Sequence, residues 1–292
     1  MNITESTIKN HILGHGLEDQ GYEHLRSSSN ETYLLEQDDY ILRFRYIGDP
    51  DENFDLMKNT SYQPYRSIIL WNMLRNTVPA VNQIADFHDG WMSTLWYRGK
   101  TLDDKSGMYI SQALYKLHNM DKNTVQDSLN LSRMNIINTI NSRYEKVEES
   151  NIDNEIKDYL KSMIDKSQMI HDKIAFSGNE TLHLDAYGGN VIEYKENPCF
   201  IDLDTLSLGP WQYDYVVLFV SSQLFGDCLD ISYIPKNVFA WEMYDMSVHL
   251  RKTDMFSWSC VMSDNSDRHY KEMIKRYESI RYGREYIWDK TL

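Results

Sequence analysis

Residues 182–214 read LHLDAYGGNVIEYKENPCFIDLDTLSLGPWQYD, and four of their oxygen-bearing side chains could do chemistry together. Asp185 and Asn190 precede one short apolar run, 191–194, and Asp202 and Asp204 end a second, 199–204. Residues 195–198 between the runs have turn composition, so the pair predicts a hairpin. A hairpin brings its open ends together, which would gather three carboxylates and an amide at one point. Such a group repels itself unless a cation joins it. Hard oxygen donors suit Mg²⁺, which keeps sites for water and phosphate. Asp-x4-Asn followed by an Asp twelve residues later is the layout a phosphoryl-transfer site needs. One carboxylate orients an acceptor hydroxyl, while the amide and a second carboxylate hold the metal. Asp and Asn are also ordinary turn residues. Any one alone reads as a cap; the set of four at this spacing reads as a site.

The stretch resembles the catalytic and metal-binding loops of the aminoglycoside phosphotransferase and choline kinase-like family, relatives of the protein kinases. That family shows His-Gly-Asp-x4-Asn, then Ile-Asp-x-Asp/Glu, then Gly-Pro/Asp and a following Asp. This chain has His183-Leu184-Asp185-x4-Asn190, Ile201-Asp202-Leu203-Asp204, Gly209-Pro210 and Asp214. Leu184 stands where the family usually has Gly, a place where protein kinases carry a larger residue. The resemblance implies an α+β, two-lobed protein kinase-like fold. Residues 1–98 would form a small nucleotide-binding lobe, an antiparallel β-sheet with a helix, ending in the hinge. Residues 99–292 would form a larger, mainly helical lobe carrying the catalytic β-hairpin and the acceptor site.

By the same resemblance Asp185 is the catalytic position, and Asn190, Asp202 and Asp204 are metal positions. His183 and Asp214 have supporting roles, Asp214 by hydrogen-bonding the backbone of the catalytic loop. The implied activity is a Mg²⁺-dependent kinase that moves the γ-phosphate of ATP or GTP to a hydroxyl of a small molecule. An aminoglycoside-type antibiotic is the first expectation for the acceptor, which would make the protein a resistance enzyme. Choline, ethanolamine, an amino alcohol or a sugar are the alternatives. A nucleotide-binding pseudokinase is the reading from another class. Leu184 and a missing helix acid motivate it, and the presence of Asp185, Asn190 and Asp202 together opposes it.

Several elements must position these residues. Residues 4–13 predict a short helix with Ile8 and Ile12 on one side, Thr4 as N-cap and Gly14 as stop. Residues 21–26, 32–36 and 40–46 predict three strands. The loop between the first two carries Ser28 and Ser29, whose backbone N–H groups and small side chains could approach phosphate oxygens. In the third strand Ile41, Arg43 and Arg45 alternate onto one face. Arg43 matches the family's phosphate-contacting Lys/Arg, and arginine suits bidentate phosphate contact. A helix over 61–75 would follow, without the acid that normally pairs with that cation. Strands over 80–87 and 91–97 flank His88-Asp89-Gly90, a good hairpin turn. LWYRGKTL resembles the family hinge, which implies that the backbone of Leu95, Trp96 and Tyr97 meets the purine edge.

After Gly99 the pattern turns helical, over 103–120, 131–149, 154–174, 211–225, 234–252 and 266–282. His118, in the first of these, reads as structural. The last two and the segments beside them hold acids (Asp227, Asp230, Glu242, Asp245, Asp264, Asp267) and aromatics (Trp241, Tyr244, Trp258, Tyr270) from which an acceptor pocket could be built.

A formal net charge of −14 over 292 residues argues against a nucleic-acid binder and would suit a cationic hydroxylated acceptor. Cys199, Cys228 and Cys260 are too widely spaced for a zinc motif or a disulfide framework, and free thiols fit a reducing cytoplasm. No apolar run approaches membrane-span length, so no membrane partner is expected.

Overall fold

Along β3 (Tyr40–Tyr46) the side chains alternate: Leu42 and Phe44 are fully buried, and Arg43 between them is half-buried on the other face. The apolar face is the one that α1 (Glu5–Gly14) covers, through Ile8 and Ile12. Thr4 caps this helix, its hydroxyl oxygen accepting from the Thr7 N–H at 3.2 Å. The computed structural model describes residues 3–27, 31–37, 40–46, 84–97, 100–101, 107–120, 131–186, 190–194, 197–200, 205–225, 231–263 and 266–283. The expected helix over 61–75 lies outside them.

The described chain divides into two compact units. The first holds α1 and a five-stranded antiparallel sheet, in the order β1 (Tyr22–Ser27), β2 (Glu31–Leu35), β3, β5 (Trp91–Tyr97), β4 (Ile84–His88). Asp89 and Gly90 join the last two strands, both at positive φ (52° and 74°). That is the conformation an Asp-Gly hairpin turn requires. The same unit contains a small sheet of β6 (Lys100–Thr101), β8 (Val191–Tyr194) and β9 (Asn197–Phe200), in that order.

The hairpin after Asn190 therefore exists, with a difference in extent. Tyr194 pairs with Asn197, and Glu193 with Pro198, so the second strand begins at Asn197 and the connection is shorter than 195–198. Among the described residues β9 is an edge strand, the place where a proline such as Pro198 is tolerated. The hairpin groups with the sheet-bearing unit rather than with the helical one, because β6 pairs with β8.

The second unit holds α2 (Gly107–His118), α3 (Ile136–Glu149), α4 (Asn154–Ala175), α5 (Gln212–Phe225), α6 (Lys236–Phe239), α7 (Tyr244–Ser263) and α8 (Asp267–Tyr282). A two-stranded pair, β7 (Glu180–Leu182) and β10 (Ser207–Gly209), completes it. Ile140, Leu160, Ile164, Ile174, Val217, Leu250 and Phe256 centre its core. Helix α3 starts at Ile136 rather than 131. Ser132 and Met134 instead bond Leu208 backbone to backbone at 2.9 Å, and Asn135 caps the helix. The helix expected over 234–252 is two. The short α6 ends at Phe239, and α7 runs from Tyr244 to Ser263. Helix α7 hides its period because it buries hydroxyls among its apolar groups. Thr253, Ser257, Ser259 and Ser263 each donate to a carbonyl three or four residues back, at 2.6–2.9 Å. Among the described residues no helix is long and apolar enough to cross a membrane.

Gly90→Ala should destabilise the protein by about 1 kcal/mol, because a Cβ disfavours the left-handed region, whereas Gly90→Asn should cost less. Urea unfolding midpoints of the two variants check the order.

Candidate active site

Strand β7 delivers the chain to His183, and β10 delivers it to α5. The two pair antiparallel, with Leu182 opposite Ser207, Thr181 opposite Leu208 and Glu180 opposite Gly209. Gly209 allows the close packing here, since a Cβ would lie 2.7 Å from Leu182 Cδ1 and 3.0 Å from Met134 Sδ. Pro210 follows, and Asp214 sits in the first turn of α5. The loop after His183 is thereby set against a helix N-terminus, where the dipole favours a carboxylate.

Asp214 is fully buried. Its Oδ2 accepts from the His183 N–H at 2.9 Å and from His118 Nε2 at 2.8 Å. Its Oδ1 accepts from the Leu184 N–H at 2.7 Å. The carboxylate thus pins two successive peptide groups of the loop and is itself oriented by the last residue of α2. Leu184 has φ +64°, a left-handed conformation. An L side chain there costs about 1–2 kcal/mol. A hydrogen bond to a charged group contributes about 1.5–3 kcal/mol, so the bond to Asp214 is large enough to hold the strained residue. The Leu184 side chain also packs against the helical core.

Asp185 comes next, its side chain 39 % exposed and so accessible from solvent. Asn190 is buried, and its Nδ2 donates to the Asp185 backbone carbonyl and to Asp185 Oδ2, both at 2.9 Å. With the amide hydrogens committed to Asp185, the carbonyl end of Asn190 is the one that can meet a cation. Asp185 Oδ1 accepts from Arg251 Nη2 at 3.2 Å.

Arg251, on α7, is 7 % exposed. Its Nη1 donates to Asp254 Oδ2 at 2.6 Å. Arg143, on α3, donates to Asp254 Oδ1 at 2.7 Å and to the Asp254 carbonyl at 3.0 Å. Burial works against the charge of Arg251, but Asp254 and then Asp185 outweigh it, so its pKa lies above the ordinary arginine value. Tyr213, beside this pair, is fully buried. Burial above all, with Asp254 adding, raises its pKa and keeps the phenol protonated.

The structure therefore brings together Asp185 with Asn190, and His183 with Asp214. Arg43 lies on β3 opposite Thr32 and Thr94. Leu95 has partners on both sides, Leu42 and Ile84, whereas Trp96 and Tyr97 pair with Ile41 and Tyr40 and extend past Ile84, the first described residue of β4. Ser28, Ser29, Asp202 and Asp204 lie outside the described residues. Among the described residues no group of three or more His, Cys, Asp or Glu could hold a metal. Arg251, Asp254 and Arg143 escaped the sequence reading. The available signal was Arg251-x2-Asp254, an ion-pair spacing on a helix otherwise rich in Ser, Thr and apolar residues.

No family model and no curated protein sequence matches the chain. Solved structures do. The aminoglycoside phosphotransferase APH(4)-Ia superposes with a TM-score of 0.67 at 11 % identity, over 96 % of this chain and 100 % of that one. Choline kinase LicA from Streptococcus pneumoniae gives 0.61 at 16 % identity, over 94 % and 99 %. Amicoumacin kinase hAmiN, in complex with AMP-PNP, Ca²⁺ and Ami, gives 0.64 at 11 % identity, over 97 % of each chain. The chain has the protein kinase-like fold of the aminoglycoside phosphotransferases and choline kinases.

Leu184→Gly should change stability by less than about 1 kcal/mol, because relief of the left-handed strain offsets the lost packing and the added chain entropy. Leu184→Ile should destabilise clearly, since a β-branched side chain tolerates positive φ worst. Thermal melts of both variants against the parent test this opposition.

Proposed function

We propose that this protein is a small-molecule O-phosphotransferase, moving the γ-phosphate of ATP or GTP to an acceptor hydroxyl. The observation that carries the reading is the Asp185–Asn190 clamp: an accessible carboxylate whose Oδ2 and backbone carbonyl both accept from one amide, on a loop pinned by Asp214. A turn cap would not need a buried asparagine spent on an exposed carboxylate. The fold likeness to kinases of small molecules supports the same reading.

In this mechanism Asp185 accepts the hydrogen bond of the acceptor hydroxyl and aims its oxygen at the γ-phosphorus. As the new O–P bond forms, the hydroxyl proton passes to the Asp185 carboxylate. The bond from the γ-phosphorus to the bridging oxygen breaks, and ADP or GDP leaves. The carbonyl end of Asn190 and the carboxylate of Asp202, with Asp204 beside it, would hold Mg²⁺; these are the hard oxygen donors it prefers. Bound there, Mg²⁺ would neutralise charge on the phosphates. Arg43, Ser28 and Ser29 are assigned to the phosphates, and the backbone of Leu95, Trp96 and Tyr97 to the purine. Residues 1–98 are taken as the nucleotide lobe and 99–292 as the catalytic lobe. His183 and Asp214 hold the loop.

An aminoglycoside-type acceptor fits the negative net charge; choline, ethanolamine, an amino alcohol or a sugar are the alternatives. We assign the protein to the cytoplasm. Cys260 is a free thiol that burial pushes up to about 12, and reduced cysteine of this kind is at home there.

Asp185→Asn should lower kcat by about 10²–10⁴-fold, the range of general-base catalysis, with nucleotide affinity nearly unchanged. ADP and GDP release with Mg²⁺, across aminoglycosides, choline, ethanolamine and simple sugars, measures it. Retained turnover rejects the assignment, and nucleotide binding without release from any acceptor favours the pseudokinase. Asp202→Ala should abolish the Mg²⁺-dependent part of nucleotide affinity; titrations with and without EDTA that still differ would remove Asp202 from the metal site.

A further inference from the structure

The Asp185 carboxylate is held from a second direction, by a group that belongs to neither of its own loop motifs. Arg251 Nη2 donates to Asp185 Oδ1 at 3.2 Å, while Asn190 Nδ2 donates to Oδ2 at 2.9 Å. One donor on each oxygen fixes rotation of the carboxylate plane, and each oxygen keeps a lone pair for an incoming hydroxyl. The guanidinium is itself immobile. Its other nitrogen is bound to Asp254 Oδ2 at 2.6 Å, and Asp254 is bound in turn by Arg143 at 2.7 Å. Asp185, Arg251, Asp254 and Arg143 thus alternate in sign from the candidate base through α7 to α3, and their formal charges cancel.

Ion pairing alone does not account for this arrangement. Burying Arg251 at 7 % exposure costs solvation, which a salt bridge repays only with favourable geometry and full hydrogen bonding. Here Arg251 Nε finds no hydrogen-bond partner among the described residues, so its hydrogen bonding is incomplete. Asp254 already serves as its near counter-ion, at 2.6 Å. Reaching past Asp254 to an exposed carboxylate stiffens that carboxylate. We infer that Arg251 is a positioning residue for Asp185: its fork, anchored by Asp254 and Arg143, sets the plane of the carboxylate that receives the acceptor proton. The inference rests on the phosphotransfer reading of Asp185. It adds that the catalytic geometry is set from α7, some 66 residues along the chain.

The test compares Arg251→Met in the parent and in the Asp185→Asn background. It reads melting temperature, nucleotide KM, and kcat for ADP or GDP release with Mg²⁺ in the presence of kanamycin, choline or ethanolamine, water being present as an acceptor throughout. Misplacing a reacting group by about 1 Å costs about 10²-fold in rate, so kcat of the single variant should fall by about that factor. The nucleotide KM should stay put, and the residual rate of Asp185→Asn should fall no further when Arg251→Met is added, because the two act through one carboxylate. An equal loss in both backgrounds, a loss confined to KM, or a parental kcat overturns the positioning role. Should Arg251→Met fail to fold, Arg251→Lys keeps the charge but not the fork. It should melt as the parent does and still lose kcat; a parental kcat there overturns the inference. The reading beneath it fails separately, if Asp185→Asn keeps its turnover or if the parent releases no nucleoside diphosphate with any of these acceptors.

Discussion

The Asp214 carboxylate is the interaction on which the rest of this site depends. It is fully buried, it has three donors, and two of them are consecutive peptide N–H groups of the loop that presents Asp185. A buried charge without partners would be intolerable, so the donors and the carboxylate require one another. This makes the loop conformation a property of the helical core rather than of the loop's own sequence. Helix α5 is buried nearly all round, by Tyr213, Tyr215, Val216, Val217, Leu218 and Val220, and it cannot rotate without moving Asp214. The β7–β10 pairing then fixes how far His183 lies from that helix.

That dependence explains how the loop carries a leucine in a left-handed conformation. Glycine would adopt φ +64° freely, and Leu184 does so at a cost of about 1–2 kcal/mol. The cost is small beside a loop tied by two charge-assisted bonds, and the leucine side chain returns part of it by packing on the core. A bulky residue at this left-handed position is therefore compatible with the loop geometry, because the geometry is imposed from outside the loop.

Much of this was legible in the sequence, and the residues show why the remainder was not. Thr4, the alternation of Leu42, Arg43 and Phe44, and the Asp89-Gly90 turn are local signals, where one dihedral or one period decides the outcome. The hairpin after Asn190 was legible as a hairpin but not in its extent, since Pro198 looks like turn punctuation until β9 is known to be an edge. The extent of helix α7 is hidden in the sequence because Thr253, Ser257, Ser259 and Ser263 satisfy their hydroxyls on its own carbonyls and bury like alanines. Within that helix Arg251 and Asp254 look like a solvated pair. Only packing against α3 turns them inward, and packing is the level that a single sequence does not display.

The two buried charge systems differ in what they can be for. Asp214 is satisfied by backbone and histidine N–H groups, so it stabilises a conformation in the way an internal hydrogen bond does. The chain of Asp185, Arg251, Asp254 and Arg143 instead takes two guanidinium groups and two carboxylates out of water or partly out of it, an arrangement that apolar side chains of similar volume commonly match or exceed in stability. Stability is a poor reason for it. Its distinguishing property is direction: each link fixes the plane of the next, and the last group in line is the more exposed of the two carboxylates, the one beside Asn190. A rigid helix, an anchored fork and a buried amide converge on that carboxylate from different elements, which is the preorganisation that the proposed proton transfer to Asp185 would require.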